Sequence, residues 1–142
     1  MNVALVDEHP VFRTGVRALL KSQFDNIATL EIGSMQDLEK VTQLEIFDII
    51  IIGQSEEHPE IDYPVLKRLM KKNPLTSFIV YASAPDQKLA RSLVRTGVKG
   101  ILTKHACPTE LVTCIRSVLS HNPYLSPQML ANLKIKEANA GH

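Results

Sequence analysis

Four consecutive isoleucines, Ile49 to Ile52, constrain this chain more than any other stretch. A strand with one wet face alternates apolar and polar residues. This run is apolar on both parities, so it reads as a strand covered on both faces, the pattern of a parallel sheet. Four more short apolar runs accompany it, at residues 3–6, 27–32, 78–82 and 100–103. A helical pattern follows each of the five. Val11, Val16, Leu19 and Leu20 form one stripe, behind Pro10 in a first helical turn. Leu38, Val41 and Leu44 form the second, after Ser34 and Asp37 in near capping-box spacing. Val65, Leu66, Leu69 and Met70 form the third. Leu89, Leu93 and Val94 form the fourth, which stops at Gly97. Leu111, Ile115, Val118 and Leu119 form the fifth, behind Pro108.

Strand then helix, five times, predicts an α/β fold with a doubly wound, five-stranded parallel sheet, because parallel neighbours need a crossover and each helix supplies one. Residues 1–120 make the body. Residues 121–142 are an accessory segment and linker, with an extra C-terminal helix over 126–137. In such sheets the functional crevice lies beyond the carboxyl ends of the strands, where strand order reverses. For the order 2-1-3-4-5 this sets Asp7 and Glu8, after the first strand, against Gly53 and its successors, after the third. The isoleucine strand therefore delivers a residue without a side chain to the place where a site belongs.

With 142 residues the chain suits one domain. Its net charge of +1 argues against a dedicated nucleic-acid-binding segment. The N-terminus reaches Asp7 and Glu8 too soon for a signal peptide, and no stretch has the length of a membrane span, so a cytoplasmic location without membrane contact is expected. Cys107 and Cys114 lie about 10 Å apart along a helix, beyond disulfide reach, and read as free thiols with one buried. His9, His58, His105, His121 and His142 show no metal-ligand spacing.

The stretch VALVDEHPVFRTGVRALL resembles the opening of a response-regulator receiver domain. RTGVKGILTKHACPTELVTCIRSVL, followed by PYLSPQML, resembles the NarL/FixJ-like, LuxR-type branch, whose members regulate transcription. The resemblance covers roughly residues 1–130 and implies a flavodoxin-like receiver. Such receivers carry a phosphoryl group on an aspartate at the end of strand 3, with magnesium held by that aspartate, the acidic residues after strand 1 and a backbone carbonyl. A hydroxyl after strand 4 and a lysine after strand 5 bind the phosphoryl oxygens. By this resemblance Asp7, Glu8 and Lys104 match, the acceptor falls on Gly53, the hydroxyl on Ala82, the carbonyl on Ser55 and a commonly aromatic position on Ile101.

The resemblance thus implies a degenerate phosphoacceptor pocket and an atypical receiver. Glycine offers no carboxylate for phosphoryl transfer. Asp48 is five residues back, at the other end of the strand, and is expected to hydrogen-bond there. Glu56 and Glu57 lie in the following loop, poorly placed for transfer. Asp7 and Glu8 alone make a weak magnesium site, and the plainer expectation is a solvated acidic pair neutralised by Lys104, with no cofactor. Ser83 is expected to point away from the crevice by strand alternation. Arg91 and Arg95 read as a solvated helix face rather than a partner stripe. Leu111, Cys114, Ile115 and Val118 are candidate interface residues wherever they are not core. The expected function is a non-enzymatic, phosphorylation-independent regulatory and dimerisation module of a LuxR-type transcriptional regulator in two-component-like signalling. It would be a homodimer, open to a protein regulator, and would reach DNA only through a C-terminal domain outside this chain. The alternatives are a stand-alone adaptor for a kinase or other regulator, and a receiver phosphorylated on a non-standard residue.

Overall fold

The computed structural model describes residues 1–41, 46–83 and 86–126. Its elements alternate as β1 (Asn2–Val6), α1 (Pro10–Gln23), β2 (Ala28–Ile32), α2 (Met35–Val41), β3 (Ile49–Gly53), α3 (Tyr63–Lys72), β4 (Ser77–Ala82), α4 (Gln87–Thr96), β5 (Gly100–Thr103), α5 (Pro108–Leu119) and β6 (Tyr124–Leu125). The sheet order is β2-β1-β3-β4-β5-β6, with every neighbouring pair parallel. β3 lies between β1 and β4, and all four isoleucines are at most 3% exposed.

The parity of β3 divides the core. Ile50 and Ile52 pack with Leu38 of α2, Leu66 and Leu69 of α3 and Leu93 of α4 on one face. Ile49 and Ile51 pack with Val16 and Leu20 of α1 and with Leu111, Cys114, Ile115 and Val118 of α5 on the other. Burying each isoleucine against its layer contributes on the order of 2 kcal/mol.

Local signals bound the helices, at Ser34 and Gly97 as the sequence suggested and at two aspartates besides. Ser34 accepts the Asp37 N–H through Oγ at 3.1 Å. Gly97 ends α4 in a left-handed conformation, φ 115°, while its N–H returns to the Leu93 and Val94 carbonyls. Asp62 and Asp86 cap α3 and α4 by accepting the Val65 and Leu89 N–H groups.

Several expectations change. Val11 is 86% exposed, because the inward stripe of α1 runs through Phe12, Val16, Leu19 and Leu20 instead. Val94 and Leu119 also emerge at the surface. Leu44 and most of the expected 126–137 helix lie outside the described residues. The sheet has a sixth strand. Tyr124 donates its N–H to the Lys99 carbonyl at 2.7 Å, and Ser126 donates to the Ile101 carbonyl at 3.0 Å. This short edge strand needs no long apolar run, because Tyr124 and Leu125 only extend layers already formed.

Leu111, Cys114, Ile115 and Val118 are core rather than interface, each at most 2% exposed. They form the sheet-facing stripe of α5, so a partner meeting that helix from outside would meet other residues. Cys114 is free and buried, and Cys107 is free and exposed. Gly100 makes room for Cys114, since a Cβ there would lie 2.7 Å from its sulfur.

Candidate functional site

Because the strands are parallel, the last residues of β1, β3, β4 and β5 converge at one end of the sheet. Asp7 follows β1, Gly53 ends β3, Ala82 ends β4 and Lys104 follows β5. A crevice of about 150 Å³ opens there, lined by Asp7, Glu8, Gly53, Gln54 and Ser55 together with the segments entering α2 and α3.

The acidic pair is split. Asp7 is 3% exposed, not solvated, and its carboxylate turns toward the end of β3. A Cβ placed on Gly53 would lie 1.8 Å from Asp7 Oδ2 and 2.8 Å from its Cγ. The carboxylate thus occupies the space that any side chain at position 53 would need. Oδ2 lies 2.9 Å from Lys104 Nζ, a pair in which both side chains are nearly buried. Oδ1 accepts the His9 N–H at 2.7 Å and lies 3.2 Å from His9 Nδ1. The ammonium of Lys104 also lies 4.8 Å from the centre of the Phe12 ring, and that ring meets Tyr81 edge-on. A charge pair this dry holds only because each ion has a partner in place.

Glu8 faces the other way. Its Oε1 accepts the Ser55 hydroxyl, whose oxygen in turn accepts the N–H groups of Glu57 at 3.1 Å and His58 at 2.9 Å. Glu56 and Glu57 are exposed in that loop. Asp48 sits at the opposite end of β3 and accepts the Asn2 N–H at 2.7 Å, as its position suggested.

Ser83 departs from simple alternation. Its hydroxyl lies 3.3 Å from Gln54 Oε1 and 3.4 Å from the Ser55 carbonyl, so it reaches the loop after β3. The reason is Gln54, a residue that sequence reasoning passed over. Its buried amide accepts the Ser83 N–H at 3.0 Å and donates to the Pro59 carbonyl at 2.6 Å, tying the loops after β3 and β4 together. A polar residue directly after a fully apolar strand was the available signal. Ala82 and Ile101 are both wholly buried.

No family model matches the chain. Among curated proteins it is similar to the oxygen regulatory protein NreC of Staphylococcus carnosus, 25% identical over 94% of this chain and 61% of that protein. It is also similar to the response regulator UvrY of Escherichia coli, 24% identical over 96% of this chain and 62% of that protein. The chain therefore spans about three fifths of the length of these relatives. Among solved structures, a LuxR-family two-component response regulator from an Aurantimonas species superposes with a TM-score of 0.86 at 20% identity, covering 96% of this chain and 97% of that one. The isolated receiver domain of RcsB from Salmonella enterica serovar Typhimurium, solved with a phosphomimetic, superposes with a TM-score of 0.78 at 19% identity, covering 93% of this chain and 97% of that one. Relatives and topology agree: the chain has the receiver-domain fold of the LuxR-family response regulators and is similar in sequence to response regulators such as NreC and UvrY.

Proposed function

We propose that this chain is a phosphorylation-independent regulatory and dimerisation module of a LuxR-type transcriptional regulator in two-component-like signalling, acting on DNA through a C-terminal domain outside this chain. The observation that carries the reading is the Asp7 carboxylate seated against Gly53 and paired with Lys104. Phosphoryl transfer needs an accessible carboxylate aligned with the donor. Position 53 has none, and both oxygens of Asp7 are engaged within a nearly closed site.

The residues do not fit a magnesium ion either. The metal needs several oxygens in near-octahedral geometry. Asp7 faces an ammonium, Glu8 is held by Ser55, and no third carboxylate stands at position 53. The positions that would answer a phosphoryl group are also inert: Ala82 has no hydroxyl and Ile101 no ring to reorient. Control then comes from the amount of protein, from self-association or from a protein regulator. The similarity to response regulators supports a regulatory rather than an enzymatic role for the module.

Incubation with a small phosphodonor and magnesium, followed by intact mass measurement, is expected to leave the mass unchanged. A stable gain of one phosphoryl group overturns the reading. Light scattering of the untreated chain is expected to give a dimer at micromolar concentration, and a monomer removes the dimerisation part.

A further inference from the structure

The net charge of +1 conceals a strong separation along the chain. Residues 1–62 carry twelve acidic and four basic residues, whereas residues 63–107 carry nine basic residues and one acidic residue. That acidic residue, Asp86, is occupied as the N-cap of α4, accepting the Leu89 N–H at 2.7 Å. The fold brings most of these nine basic residues onto two neighbouring helices. α3 and α4 cover the same face of the sheet, with Leu66, Leu69, Ala90 and Leu93 beneath them in one layer. Their C-terminal ends meet, since Met70 Sδ lies 3.7 Å from a Cβ placed on Gly97.

Outward from these helices stand Lys67, Lys71 and Lys72 on α3 and Lys88, Arg91 and Arg95 on α4. All are exposed except the half-buried Arg91. Among the described residues, the ion pair on these two helices is Arg68 with Glu39 of α2, and none of the six cations has an acidic partner within 4.0 Å. Helix-dipole complementarity accounts for Lys71, Lys72 and Arg95 in last turns, but not for Lys88 in the first turn of α4, where a cation opposes the dipole. Lys67 with Lys71 and Arg91 with Arg95 are like charges one helical turn apart, an arrangement that weakens a helix. Among the described residues, no ion pair within 4.0 Å relieves this repulsion.

We infer that the α3–α4 face binds the phosphate backbone of double-stranded DNA, independently of base sequence. The chemistry of the face selects this occupant. Clustered lysine and arginine on one surface is the electrostatic footprint of a nucleic-acid contact. Affinity for a protein comes from buried apolar and aromatic anchors, and the one large apolar side chain exposed on these two helices is Val94. Among the described residues no element projects from the face to enter a groove, so its contacts position rather than specify. The low net charge had argued against any nucleic-acid contact by this segment. The fold overrides that, because an approaching duplex meets one face rather than the average charge. The inference does not depend on phosphorylation-independence or on a C-terminal domain.

The test uses the 142-residue chain and a fluorescent duplex of arbitrary sequence. Binding at low salt is expected, weakening by about 10³-fold between about 50 and 200 mM salt if some six phosphates are contacted. The paired variants Lys67→Gln/Lys71→Gln and Arg91→Gln/Arg95→Gln are each expected to keep the fold, by circular dichroism and melting, and to lower the slope of log K against log salt by about 2. The absence of duplex binding at low salt overturns the inference. So does binding unaffected by either pair of substitutions. Salt-labile self-association that the same variants abolish, without duplex binding, also overturns it and assigns the face to the acidic side of a second copy.

Discussion

Substituting Gly53 by alanine separates a vacant pocket from one filled by its own carboxylate. Gly53 ends a strand without a left-handed φ, so in an empty pocket alanine would stabilise the chain by about 0.4–1 kcal/mol through the unfolded state. Here the new Cβ would lie 1.8 Å from Asp7 Oδ2, 2.8 Å from Cγ and 3.2 Å from Cβ of Asp7. Rotating the carboxylate away relieves the first two contacts but leaves the third tight, and it breaks the 2.9 Å pair with Lys104. Breaking a buried ion pair costs about 3–5 kcal/mol, and some rehydration of Asp7 through the adjoining crevice lowers this toward about 2–4 kcal/mol. The sign is thus reversed, and for a domain of this size Tm should fall on the order of 10 °C. Urea and thermal unfolding of the wild type, Gly53→Ala, Asp7→Ala and the double variant measure it. With Asp7 truncated, the alanine at 53 should cost little, so most of its effect appears as coupling. A neutral or stabilising Gly53→Ala, or equal effects in both backgrounds, would refute the reasoning.

Three further outcomes follow from the same packing. Leu111→Ala should destabilise the chain by about 2–5 kcal/mol at any protein concentration, because Leu111 is core; a concentration-dependent loss read by unfolding would instead return it to an interface. Tyr124→Phe removes the hydroxyl that donates to Glu110 at 3.1 Å and should cost about 0.5–1.5 kcal/mol in urea unfolding, as expected if β6 is part of the folded body. Burial, with Glu110 nearby, pushes the Cys114 thiol up to about 12 from its usual 9. The folded state holds that proton more tightly, so this contribution is complete below pH 9 and is lost as pH rises toward 12, by up to about 1.4 kcal/mol per pH unit. Cys114→Ala should flatten the fall in Tm across that window.

The βα alternation, the switch-point crevice and the identities at Gly53, Ala82 and Lys104 were all legible in the sequence, because each rests on local patterning or on a single residue type. The stripe on α5 was legible as apolar, but not as core. Core and interface stripes share one periodicity, and only packing against β1, β3, β4 and β5 tells them apart. β6 was not legible, since two residues carry no period and gain their order from β5. Gln54 was missed because its partners, Pro59 and Ser83, lie in two loops that only the sheet brings together.

By itself the sequence determined that no carboxylate stands at the end of β3, since a glycine there has no side chain to supply one. Only the tertiary structure decided what fills the space. Asp7, Gly53 and Lys104 meet because β1, β3 and β5 end together, and a charge so nearly closed off from water must settle against the ammonium it can reach. The separation of charge along the chain was likewise legible in the sequence, whereas the meeting of its basic residues on the neighbouring helices α3 and α4 is a consequence of the fold.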